Sequence, residues 1–154
     1  MENMEKIKTR HTYLSTAEFI QRAAERCREA EMGLRTHLSE AGEADMMALK
    51  SVADAEHLLA CALERYVDSG PKEVLKTGIQ YQMDSSIESK LDPRSLDEAI
   101  AQLTRLNMDL SRSFRDQASK AGTLHMSEAM DNISTEIDAI SRRISMIRVT
   151  ARDL

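Results

Sequence analysis

Apolar residues recur along this chain in alternating steps of three and four, the period of a helix with one buried face, and they do so in four runs. The first reads Ile20, Ala24, Cys27, Leu34 and Leu38, with Glu31 as its only charged member. Ahead of it, Ser15-Thr-Ala-Glu18 has the form of a capping box: the serine hydroxyl accepts from a backbone N–H one turn in, and the glutamate reaches back to the cap. Ala41-Gly42 is the expected end, with the glycine in the left-handed conformation that closes many helices. The second run covers roughly 44–68, with Leu49, Val52, Leu59, Leu63 and Tyr66 on one stripe that Glu56 interrupts. Ser69-Gly70-Pro71 stops it, since proline cannot continue a helix. So short a link between the two helices predicts an antiparallel hairpin.

Between residues 70 and 92 the period lapses, although Val74, Leu75, Ile79, Tyr81, Met83, Ile87 and Leu91 mark it as more than a solvated linker. Neighbouring antiparallel helices need only about two to eight connecting residues. A longer segment with apolar side chains of its own, part of it a short helix, suits a crossover along the bundle. The third run opens at Ser95-Leu-Asp-Glu98 and places Leu96, Ile100, Leu103, Asn107, Leu110, Phe114 and Gln117 or Ala118 inward, ending at Ala121-Gly122. The fourth starts near Thr123 and is a ladder of Met126, Met130, Ile133, Ile137, Ile140, Ile144 and Ile147 with no polar member. One domain is expected, with a loose or partly helical lead-in at 1–14, a first hairpin at 15–68, a crossover at 69–93 and a second hairpin at 94–152.

The second hairpin repeats the first. Ser15, Glu18, Ile20, Arg35 and Ala41-Gly42 recur eighty residues on as Ser95, Glu98, Ile100, Arg115 and Ala121-Gly122. After the turn the offset is 81, so that Leu49, Val52, Leu59 and Leu63 meet Met130, Ile133, Ile140 and Ile144. Two such hairpins can bury equivalent faces against each other about a pseudo-twofold axis.

Composition agrees with an all-α fold, because helix formers dominate while the chain holds three Tyr, two Phe and no Trp. A net charge of -5 argues against non-specific binding to nucleic acid or anionic membrane, which needs a basic face. Arg142, Arg143, Arg148 and Arg152 crowd the end of the last helix, where cations favour the macrodipole. No window approaches the ~18 apolar residues of a membrane span, and two cysteines imply no disulfide framework, so a cytoplasmic protein is expected. Ten methionines fill irregular apolar space well; any that are exposed would suit an adaptable binding surface.

Chemistry concentrates in the second helix, at Asp54-Ala-Glu-His57. Repeated hairpins, a crossover and this acid-x-x-His unit resemble the ferritin-like superfamily, in particular its rubrerythrin-type members, over roughly residues 15–150. That resemblance implies a four-helix bundle with a di-iron centre, built from one glutamate on each of two helices and a Glu-x-x-His unit on each of the others. Asp54 and His57 have the spacing with a shortened acid, and Glu31 is the candidate carboxylate of the first helix. The second half departs, with Asn107 where a glutamate would stand and Thr135 and Asp138 matching Asp54 and His57. A complete di-iron site is therefore not expected.

Two readings of Glu31, Asp54 and His57 stay open. In one they join Cys27 and Glu56 in one layer and hold a single iron or zinc, as a redox or metal-storage protein would. In the other they are structural: Glu31 pairs with Arg28 or Arg35, His57 bonds a neighbouring helix, and Glu56 reaches water at the stripe's edge. The second reading makes the protein a structural or interaction module rather than an enzyme, acting as a homodimer or on a protein partner. A phosphotransfer histidine has little support, because His57-Leu-Leu-Ala-Cys61 lacks the lysine and glycine of the His-x-x-Lys-Gly signature.

Overall fold

A computed structural model describes residues 11–70, 72–76, 78–82, 87–121 and 124–153. The expectations for residues 1–10, Pro71, Met83, Gly122 and Thr123 lie outside that set. Four long helices carry the core: α1 (Thr16–Thr36), α2 (Glu43–Ser69), α3 (Leu96–Lys120) and α4 (Leu124–Asp153). The all-helical core agrees with the periodicity. An addition the pattern did not foresee is a two-stranded antiparallel ribbon, β1 (His11–Ser15) with β2 (Gly78–Gln82), in register from His11 opposite Gln82 to Ser15 opposite Gly78. It ties the lead-in to the connector just before α1 begins. The connector's short helix is a single turn, Lys72–Leu75.

Both caps work, but unequally. At α1 the box closes fully: Ser15 Oγ accepts from Glu18 N–H at 3.1 Å, and the Glu18 carboxylate accepts from Ser15 N–H at 3.4 Å. At α3 the serine half is present, while Glu98 accepts from Arg94 N–H, one residue earlier. The first hairpin turn also differs from expectation. The α1 helix ends at Thr36, a 3-10 turn follows at Leu38–Glu40, and Gly42, with φ -67°, caps α2 in extended backbone. No glycine among the described residues takes positive φ.

Helix pairing follows the hairpins, α1 against α2 and α3 against α4, with α1 also packed on α3 and α2 on α4. Their directions follow from the connector. Glu88 meets Arg22 at 3.6 Å, Leu91 N–H donates to Glu29 at 2.8 Å, the Pro93 carbonyl lies 3.1 Å from His37 Nε2, and Leu96 N–H donates to Glu40 at 3.0 Å. Connector and α1 therefore climb side by side, and α3 starts beside the end of α1. Every adjacent pair is antiparallel as a result, which alternates the helix dipoles. Gly33 permits the close approach, because a Cβ there would stand 2.7 Å from Pro93 Cγ. At the other end Phe19 and Phe114 meet edge to face with ring centroids 5.4 Å apart.

The predicted stripes form the core. Ile20, Ala24, Cys27, Leu34, Leu49, Val52, Leu59, Leu63, Ile100, Leu103, Leu110, Phe114, Met130, Ile137, Ile140 and Ile144 are all buried. Ile133, Ile147 and Leu96 pack at its margin. No helix of the described residues is long and apolar enough to cross a membrane.

Candidate functional site

Two polar clusters occupy the first hairpin, one inside the bundle and one on its flank. Inside, Glu56 projects from α2 and is fully buried, with no hydrogen-bond partner on either carboxylate oxygen. The nearest polar groups are the Asn107 amide of α3, equally buried and unpartnered, and the Cys27 thiol of α1. Burial pushes the Glu56 carboxyl up to about 7, and Asn107 and Cys27 offset only part of this. The expectation that Glu56 reaches water at the edge of its stripe is thus overturned. Its helical position turns it inward, level with Cys27 and Asn107, where no solvent reaches. Burial and the nearby Glu56 also raise the Cys27 thiol, so this cysteine is a packed, protonated side chain.

The flank cluster spans α1 and α2. Glu31 and Arg35 are one turn apart on α1, and Arg35 Nε donates to Glu31 Oε2 at 2.8 Å. The other end of the same guanidinium donates to Asp54 Oδ1 across the helix pair at 2.7 Å. Glu31 Oε1 stands 3.1 Å from His57 Nδ1, so in the neutral ring the proton sits on Nδ1 and Nε2 is the acceptor. That nitrogen lies 3.7 Å from Cys61 Sγ, one turn further along α2. Arg28 completes the group, holding Glu64 through Nε at 2.9 Å and through a second, shorter contact, with Nη2 3.7 Å from the Cys61 sulfur.

Glu31, Asp54 and His57 are thus brought into one cluster, as the spacing predicted, but around Arg35. The guanidinium bonds both carboxylates, and a fixed cation between them opposes a metal ion at the same place. Asp54 is well exposed, and no three His, Cys, Asp or Glu side chains among the described residues converge as a metal cage. The pairing of both acids with Arg35 weighs against the iron or zinc site expected from sequence. Nor does the interior layer fit a di-iron centre, for Cys27, Glu56, Asn107 and Ile137 supply one carboxylate and no imidazole.

Sequence reading missed Cys61. It stands outside the apolar stripe, and only its four-residue spacing from His57, read together with the level of Arg28, could have signalled the contact. Arg115 on α3 and Asp138 on α4, at the positions matching Arg35 and His57, bridge the second hairpin in the same manner. Ser111 donates to Asp138 at 2.6 Å, and this hydroxyl together with Arg115 holds the carboxyl below its usual range. No protein-family model, curated protein or solved structure matches the chain.

Proposed function

We propose that the chain is a ferritin-like bundle, a hairpin written twice, that works as a structural or protein-interaction module without a complete di-iron site, and that its first partner is a second copy of itself. Hairpin pairing and the long crossover support the ferritin-like reading. The observation that carries the interaction role is the exposure of large apolar side chains on α2 and α4. Met47 and Leu58 are 81% and 68% exposed and stand three turns apart on one face of α2. Met146 of α4 is 71% exposed and, because α2 and α4 are antiparallel, lies at the same end of the bundle as Met47. Exposed, flexible methionines suit an adaptable contact.

The test is mass in solution by light scattering across protein concentration. A dimer is expected, and Met47→Glu with Leu58→Glu should give a monomer of unchanged helical content. A wild-type chain that stays monomeric at the highest concentration removes self-association. The alternative role, a metal-binding redox or storage protein using Glu31, Asp54 and His57, predicts stoichiometric iron or zinc that is lost in Glu31→Ala and His57→Ala. The fit of Arg35 between the acids weighs against it.

A further inference from the structure

Three side chains stand in line on the flank of the first hairpin: the Glu31 carboxylate, the His57 imidazole and the Cys61 thiol, at 3.1 Å and 3.7 Å. Each link has a direction. The carboxylate fixes the proton on Nδ1, so Nε2 presents its lone pair to the sulfur, which is the arrangement that draws a proton from a thiol. The Arg28 guanidinium, which also holds Glu64, lies 3.7 Å from the same sulfur on another side. Cys61 is partly exposed, and His57, with a side chain 46% exposed, borders an open groove of about 470 Å³ that Arg28, Met32 and Thr36 also line. The groove reaches the histidine side of the site, and the sulfur is open to a reagent through the partial exposure of Cys61 itself. Cys27, sealed in the core beside Glu56, has no access.

From this geometry we propose that Cys61 is an activated thiol and a modification site, which forms a mixed disulfide with small disulfides. The step balances as a thiol–disulfide exchange. The Cys61 Sγ proton passes to His57 Nε2, and the thiolate attacks one sulfur of the small disulfide. The Sγ–S bond forms as the S–S bond of the reagent breaks. The departing thiolate leaves with the electron pair and recovers the proton from His57, so that Cys61 is oxidised and half of the reagent is reduced. Glu31 acts through the imidazole as a positioning residue, and Arg35 holds Glu31 in place. This inference is independent of the dimer proposed above, because it needs only the α1–α2 pair and is read on thiol chemistry.

Two probes test it on the full chain: iodoacetamide for nucleophilicity and glutathione disulfide for the exchange, each followed by intact mass and peptide mapping. The rate at Cys61 is taken in native buffer and in urea at the same pH, which separates the fold's contribution from the intrinsic thiol. Native Cys61 is expected to react about tenfold faster than the same residue in the unfolded chain. His57→Gln should bring the native rate to the unfolded value or below, and Glu31→Gln should lower it severalfold while leaving the rate in urea unchanged. Cys61→Ser should leave a chain whose remaining thiol, Cys27, reacts only on unfolding. The proposal is overturned if native Cys61 reacts no faster than in urea, or if His57→Gln folds and keeps the native rate. Should the histidine variant fail to fold, the wild-type ratio of native to unfolded rate decides alone.

Discussion

The two hairpins place different chemistry on matching positions. At the inner level, α1 and α3 contribute Cys27 and Asn107, while α2 and α4 contribute Glu56 and Ile137, all fully buried. On the flank, Arg35 and Arg115 each bridge to the neighbouring helix, but Glu31, His57 and Cys61 of the first hairpin are matched by Ser111, Asp138 and Arg142 of the second. The second hairpin closes its polar network locally: Ser111 and Ser134 bond each other at 3.1 Å, and Ser111 bonds Asp138. In the first, a carboxyl is sealed inside with only Asn107 and Cys27 near it, and a thiol is left beside a base outside. Hairpins paired in the same way therefore need not share chemistry, because at these positions the fold needs only side chains of suitable size and polarity.

That contrast can be broken most severely at the inner layer. Ile137→Asp would bury an unpaired carboxyl in the core, and a loss on the order of 4 kcal/mol in urea unfolding is expected. A loss below about 1 kcal/mol would show that α4 does not face this layer.

The next effect is a pH dependence peculiar to the first hairpin. Glu56 titrates near 4.5 when unfolded and at about 7 when folded, so the native chain holds the extra proton between those values. Stability from this source is intact below about pH 4.5, falls as pH rises, and is lower by about 3 kcal/mol above the folded value. Glu56→Gln should abolish that slope, and a wild-type slope equal to that of the variant would place the carboxylate in water.

A smaller difference comes from the connector, which runs along α1. Gly33 lies against Pro93, whereas the matching residue of α3 is Ser113. Gly33→Ala should destabilise by about 1 kcal/mol despite the better helix propensity of alanine, because the new methyl group meets the proline ring. Ser113→Ala should change the unfolding midpoint little. The smallest effect separates the caps. Ser15→Ala should cost about 1 kcal/mol and Ser95→Ala a few tenths less, since only α1 has the reciprocal glutamate bond. Equal losses would mean that the Glu98 contact to Arg94 serves as well.

Much of the architecture was legible in the period of the apolar residues, because a helix that buries one face must repeat every three or four positions. The stripes, the serine caps and the break at Gly70 all follow from local rules. The ribbon did not, for its two strands are far apart in the chain and Thr12 to Leu14 carry no sustained alternation that would single out a partner. The role expected of Gly42 also misled: α1 ends earlier, at Thr36 with His37 as its cap, and Gly42 enters the next helix as its N-cap in extended backbone.

By itself the sequence determined four amphipathic helices, their pairing in hairpins and the residues that fill the core. It also determined that Glu31, Asp54 and His57 would lie close together. Only the tertiary structure decided what they do there. A stripe assigns a side chain to a helix face but not to a partner across the interface, and hydrogen bonds are set by a few ångströms of packing between helices. Packing put Arg35 between Glu31 and Asp54, sealed Glu56 from water, and aligned His57 with a cysteine that no stripe includes.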